Sequence, residues 1–135
     1  MKMIRITLLS LLFFTLALPL SAAGRLTYYC STDIPWCELM KKEFEKRTGI
    51  RVSMTRASSG ETLTKIRAEK SNPKGDVWWG GTGDPHLQAA ELGLTQSYNS
   101  PKLAELHDWA KTPPHATGGR TVGIYLGALG YGYNR

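Results

Sequence analysis

The stretch that decides the fold runs from Arg25 to Trp79: RLTYYCSTDIPWCELMKKEFEKRTGIRVSMTRASSGETLTKIRAEKSNPKGDVWW. Its first six residues place Leu26, Tyr28 and Cys30 on one side, the period-two pattern of a β-strand. Asp33 can cap the segment that follows, with Pro35 in its first turn. Trp36, Met40 and Phe44 then recur every four residues, so the spacing predicts a helix with that apolar stripe toward a core. Lys46 and Arg47 come late in it, where cations complement the helix dipole, and Gly49 closes it. Ile50, Val52 and Met54 alternate in a second strand. Ser58 and Glu61 have capping-box spacing and open a second helix carrying Leu63 and Ile66, which ends at Asn72-Pro73. Asp76-Val77-Trp78-Trp79 is a short third strand, nearly continuous in large apolar residues, as a strand buried on both faces should be.

Downstream, Asp84-Pro85 reads as the N-cap and first position of a helix that Gly93 stops. Ser100-Pro101 starts a fourth helix with Leu103, Leu106 and Ala110 inward, and Pro113-Pro114 ends it. Residues Thr121 to Tyr133 are Gly-rich, aromatic and extended, and read as one or two strands. Strands alternating with helices across short loops predict an α/β fold: an open parallel sheet with flanking helices.

Upstream lies a leader. Lys2 and Arg5 precede an apolar run from Ile6 to Leu20, and Ser21-Ala22-Ala23 supplies a small-x-small exit. This is the layout of a secretory signal peptide over residues 1–23, cleaved after Ala23. A membrane span needs about 20 apolar residues, and Pro19 and Ser21 close this run too early. No cysteine sits at the exit, so nothing suggests a lipoprotein anchor, and residues 24–135 are expected to be a soluble exported domain. Losing Lys2 and Arg5 lowers the formal net charge from +6 to +4. That mild excess favours anionic partners. It does not indicate nucleic acid, because Lys41, Lys42, Lys46 and Arg47 are mixed with Glu38, Glu43 and Glu45 on a solvated helix. Outside the cytoplasm, Cys30 and Cys37 should form a disulfide. Their spacing is not that of a CxxC redox motif, and two thiolates without a nearby His are too few for zinc.

In open parallel sheets ligands sit beyond the carboxyl ends of the strands. Three loops lie there: Cys30-Ser31-Thr32, Ala57 to Thr62, and Trp79 to Asp84. They are rich in hydroxyls and glycines, and each leads into a helix N-terminus, which is the chemistry of an anion cradle. The candidate ligand-binding residues are Ser31, Thr32, Ser58, Ser59, Gly60, Thr62, Trp79, Gly81 and Thr82. Taken singly, each is also an ordinary capping or turn residue; the convergence of three loops favours a site. By strand alternation one of Trp78 and Trp79 enters the packing while the other leans toward the loops. Trp79, nearest the strand end, is assigned to the loops, with core packing as its alternative.

Catalytic constellations are thin. Gly81-Thr82-Gly83 follows the third strand rather than the first and continues as Asp84-Pro85-His86, so it is no dinucleotide fingerprint. GxSxG and HExxH do not occur. His86, His107 and His115 are scattered and read as surface or capping residues. No catalytic residue, metal ligand or cofactor is therefore assigned, and a binding protein is expected rather than an enzyme. A small exported hydrolase using Ser59 or Cys37 is the alternative from the enzyme class.

Several runs carry a family resemblance. They are Tyr29-Cys30-Ser31, Trp36-Cys37, Phe44 to Ile50 (FEKRTGI), Arg56 to Thr62 (RASSGET) and Asp76 to Gly81 (DVWWGG). Together they resemble the substrate-binding proteins of bacterial ABC importers, in the ferric-ion-type branch that also includes binders of organic phosphates and phosphonates. The resemblance implies a two-lobed type II periplasmic-binding-protein fold, of which residues 24–135 correspond to the first lobe. Tyr125 to Tyr133 would be the start of the crossover to a second lobe that this truncated chain lacks. It further implies a monomeric periplasmic protein that captures a small anionic solute and hands it to an ABC permease and its ATPase. A ligand-sensing partner of a signalling receptor is the alternative. Iron-binding members hold the metal with paired tyrosines of the second lobe, and some add a His and a Glu from the first. Ser31 and Gly80-Gly81-Thr82 stand in those first-lobe places here. Hard Fe³⁺ wants anionic oxygen ligands, so a phosphate, phosphonate or carboxylate headgroup fits these loops better.

Overall fold

The computed structural model of the chain describes residues 24–127 together with Gly130 and Gly132. Expectations for the leader therefore lie outside the described residues, as do those for Ala128, Leu129, Tyr131 and residues 133–135. The element order is β1 (Arg25–Cys30), α1 (Ile34–Thr48), β2 (Arg51–Arg56), α2 (Ser59–Ala68), β3 (Val77–Trp79) and α3 (Gly83–Glu91). A single 3₁₀ turn (Leu103–Glu105) and α4 (Asp108–Thr117) follow. The strands form one parallel sheet in the order β2-β1-β3. In its register Arg25 lies beside Arg51, Cys30 beside Arg56, and Cys30 beside Trp79 on the other flank. All three carboxyl ends thus reach the same edge, where the sequence placed them.

Alternation divides the sheet into two faces. Tyr28, Cys30 and Val52 form one core with Cys37 of α1, and Leu26, Met54 and Trp79 pack against it. On the other face Tyr29 is buried, and its hydroxyl donates to Glu69 Oε2 at the end of α2 at 2.7 Å. Leu63 and Thr62 of α2 and Ala89 and Ala90 of α3 are also buried. The local signals act as the sequence predicts at several ends. Ser58 and Glu61 close a reciprocal capping box, and Gly49 ends α1 in a left-handed conformation with its N–H on Glu45 O.

Six expectations are corrected. The stripe Trp36, Met40 and Phe44 is not the inward face of α1: these residues are 49%, 44% and 37% exposed. The Cys30–Cys37 bridge pins Cys37 against the end of β1, and this turns the helix about one residue further round. Asp33 occupies the N-cap with no side-chain bond; its carbonyl serves the turn instead, accepting from Trp36 N and Cys37 N. β3 is flanked on one side only, and its Val77 is 43% exposed, so it is an edge strand among the described residues. α3 starts at Gly83 behind Thr82, which places Pro85 within the first turn rather than at its first position. α4 runs through Pro113-Pro114 instead of stopping there. Pro114 has no N–H to give Ala110 O, four residues before it, and that carbonyl accepts from Gly123 N at 3.1 Å. The chain beyond the helix thus repairs the missing bond. Residues 121–127 form no strand.

Candidate functional site

The carboxyl edge is assembled around Ser31. β1 ends in the buried Cys30, and the disulfide (S–S 2.01 Å) ties this end to the first turn of α1. Ser31 N then donates to Trp79 O at 3.0 Å, which joins the first loop to the third. Ser31 Oγ lies 3.0 Å from Thr62 Oγ1 and accepts from Trp78 Nε1 at 2.9 Å. Three of the strand–helix units therefore meet on one hydroxyl. Thr62 is 2% exposed, so its role is to hold Ser31 from beneath rather than to meet solvent.

The glycine loop comes next. Gly80 and Gly81 both have positive φ, 78° and 93°. A Cβ on Gly81 would stand 2.1 Å from Ser59 Oγ and 3.0 Å from Ser31 O, so only glycine fits between the other two loops. Thr82 N donates to Ser59 Oγ at 3.1 Å, and Tyr125 Oη bonds both Gly81 N (2.7 Å) and Gly81 O (3.2 Å). Ser58 spends its side chain on the capping box, while Gly60 has open space around it. At the start of α2 the amides of Ser59 and Gly60 have no acceptor among the described residues, and at the start of α3 those of Gly83 and Asp84 have none. Two helix N-termini thus bring uncommitted donors and positive dipole ends to one edge. Two carboxylates at these helix starts oppose an anion: Asp84 in the first turn of α3 and Glu61 in the first turn of α2, the latter bonded to Ser58 N and Oγ.

The candidates therefore separate. Ser31, Ser59, Gly81 and Thr82 are joined directly to one another by contact or hydrogen bond. Thr32 stands beside them through its backbone and packs on Gly80. Thr62 is the buried support, Ser58 the cap, and Gly60 an exposed amide. The two tryptophans exchange the places expected of them. Trp79 packs against the core of Tyr28, Cys30, Cys37 and Val52, while Trp78 reaches Ser31 and stacks on His86 with ring centroids 3.7 Å apart. The register explains this: Trp79 lies beside Cys30 and Trp78 beside Tyr29, on opposite faces.

His86, expected as a surface or capping residue, is instead partly buried against Trp78. Its Nε2 lies 2.9 Å from Gly80 O, and burial lowers its pKa from 6.5, opposed in part by that carbonyl. His107 is exposed beside Trp109, and the side chain of His115 lies outside the described residues.

Two contributors were missed. Arg56, the last residue of β2, donates from Nε to Thr32 O at 2.8 Å, bringing a guanidinium to this edge. Its signal was present, since it is a cation at the carboxyl end of a predicted strand. Tyr125 had none, because it lies 44 residues from the glycine it holds.

Comparison with known proteins gives the arrangement its context. A family model described as bacterial extracellular solute-binding protein matches residues 26–117. An uncharacterised protein of Haemophilus influenzae is 43% identical over 114 residues, covering 84% of this chain and 33% of that protein. Among solved structures, the periplasmic binding protein P5PA is 42% identical with a TM-score of 0.66, over 71% of this chain and 31% of its own. The periplasmic binding protein AfuA of Actinobacillus pleuropneumoniae, with exogenous fructose-6-phosphate bound, is 46% identical with a TM-score of 0.62, over 64% and 27%. Iron-bound HitA of Pseudomonas aeruginosa is 25% identical with a TM-score of 0.62, over 72% and 30%. The chain spans about a third of the length of these relatives. The parallel sheet and its helices correspond to part of one lobe of the type II periplasmic-binding-protein fold. The matched family and these neighbours are binding proteins, not enzymes. The chain belongs to the bacterial extracellular solute-binding proteins.

Proposed function

We propose that this chain supplies one wall of a periplasmic site that captures a small phosphorylated solute for an ABC importer. The observation that carries the reading is the junction at Ser31, Ser59 and Gly81. Three loops close on one another there, and the amides of Ser59, Gly60, Gly83 and Asp84 lie at two adjacent helix starts with no acceptor among the described residues. Such amides bind phosphate oxygens without a cationic side chain, and Arg56 adds one at the rim. Fructose-6-phosphate in AfuA, 46% identical, supports a sugar phosphate over a bare metal ion. So does the donor set: hydroxyls and backbone N–H groups suit an anion, whereas Fe³⁺ wants several anionic oxygens. Residues 1–23 act in this reading as the leader that takes the protein across the inner membrane, and a permease with its ATPase receives the solute.

One wall leaves the anion half-solvated, so the expected affinity of residues 24–135 is millimolar, from about 3–5 kcal/mol of surviving contacts. Nuclear magnetic resonance titration of that chain with fructose 6-phosphate, inorganic phosphate and ferric citrate tests this. The amides of Ser59, Gly60, Thr82 and Gly83 should move with both phosphates, and Ser59→Ala should weaken binding about tenfold. Shifts confined to the opposite end of the sheet, around Arg25, Ile50 and Arg51, would place the anion elsewhere and refute the assignment.

A further inference from the structure

The Gly80–Thr82 loop has no secondary structure to hold it, yet it carries the helix start on which the proposed site depends. Glycine takes both signs of φ at little cost, so the two peptide planes flanking Gly81 can flip unless something fixes them. His86 Nε2 bonds Gly80 O in the first plane and Ser59 Oγ bonds Thr82 N in the second, but one atom, Tyr125 Oη, bonds both. Gly81 N, in the plane shared with Gly80, donates to Tyr125 Oη at 2.7 Å. Gly81 O, in the plane shared with Thr82, accepts from that hydroxyl at 3.2 Å. A phenol has one proton to give and lone pairs to accept with, so both bonds form at once. Turning the second plane over would reverse Thr82 N, which bonds Ser59 Oγ, and would redirect the amides that follow it into α3.

Tyr125 is itself held in place. Its ring meets Trp36 edge-on, with centroids 5.6 Å apart, and two residues earlier Gly123 N donates to Ala110 O. Gly123 lies so close to Trp109 that a Cβ would come within 2.9 Å of the indole. The hydroxyl therefore reaches the loop from a segment anchored independently of it.

We infer that Tyr125 is a positioning residue of the solute site, a hydroxyl staple that sets the direction of the Gly83 and Asp84 amides presented to the anion. The inference rests on the anion-binding reading above and adds a determinant of its affinity from outside the three edge loops. Tyr125→Phe removes the staple and keeps the ring against Trp36, so the fold should survive.

Two measurements on residues 24–135 test it. Without solute, amide hydrogen exchange at Gly81 should quicken about tenfold in Tyr125→Phe, with Thr62 and Leu94, hydrogen-bonded elsewhere, unchanged as internal references. With fructose 6-phosphate and inorganic phosphate as probes, affinity should fall about three- to tenfold at an unchanged melting temperature. Faster exchange with unaltered affinity would confine the hydroxyl to loop structure and overturn the proposal. Higher affinity would also overturn it, because the hydroxyl would then be a competitor of the anion. If the unaltered chain binds neither probe, the anion reading fails and takes the solute role of Tyr125 with it. The exchange rate at Gly81 would still report whether the staple exists, so the two failures are distinguishable.

Discussion

Replacing Gly81 by alanine probes the whole edge, because this residue is where the three loops touch. At φ 93° a side chain is strained in any surroundings, at a cost of about 1–3 kcal/mol. Here the new methyl would also stand 2.1 Å from Ser59 Oγ, 2.9 Å from Ser31 Cβ and 3.0 Å from Ser31 O. Ser59 can rotate away, which forfeits its bond to Thr82 N, but the backbone oxygen of Ser31 cannot move without disturbing its neighbour Cys30 and the disulfide. Overpacking of this kind costs a further ~1–3 kcal/mol. The sum, about 2–6 kcal/mol, corresponds to a fall in Tm of at least about 8 °C for a domain of this size. Gly60→Ala is the matched control. Gly60 lies in α2 without positive φ and with nothing within 4 Å of the added atom. Alanine there should be neutral or stabilising by up to about 1 kcal/mol. Thermal unfolding of residues 24–135, followed by circular dichroism, compares the two. A Gly81→Ala protein that melts within about 2 °C of the unaltered chain would refute the contact geometry on which the site is built.

The Cys30–Cys37 bridge closes a short loop of sequence separation 7 and should contribute about 2–3 kcal/mol; urea unfolding with and without reductant measures it. Protein recovered from the periplasm should begin at Gly24 and weigh two hydrogens less than its reduced form, whereas alkylation of both thiols without reductant would contradict the bridge. Burial of His86 lowers its pKa in the folded state from 6.5, so the neutral ring is favoured by folding. Its contribution to stability is therefore complete above pH 6.5 and is lost as pH falls through the lower folded value. Imidazole resonances followed against pH should show His86 titrating below 6.5, and a midpoint at or above that value would remove the predicted acid sensitivity.

The sequence by itself determined the order and kind of the elements from Arg25 to Glu91, the disulfide, the Ser58–Glu61 capping box and the edge at which the loops gather. All of these are local. Periodicity reports whether a segment is helix or strand, caps report where it ends, and the parallel connection then sends every strand's carboxyl end the same way. What only the tertiary structure decided was which face each element turns inward. The stripe of α1 was legible as a stripe, but the anchor at Cys37, not its own hydrophobicity, set the rotation, leaving Trp36 to meet Tyr125. Position near the strand end favoured Trp79 for the loops, but register against Tyr29 and Cys30 put Trp79 on the core face and Trp78 by the loops. Pro113-Pro114 looked like a stop because proline withholds an N–H, and the repair came from Gly123, beyond the helix. Tyr125 reaches Gly81 across 44 residues, and Trp78 reaches Ser31 across 47. Contacts at such separations leave no pattern in a single sequence, since each partner alone satisfies every local rule; they exist only once the sheet has brought the loops together.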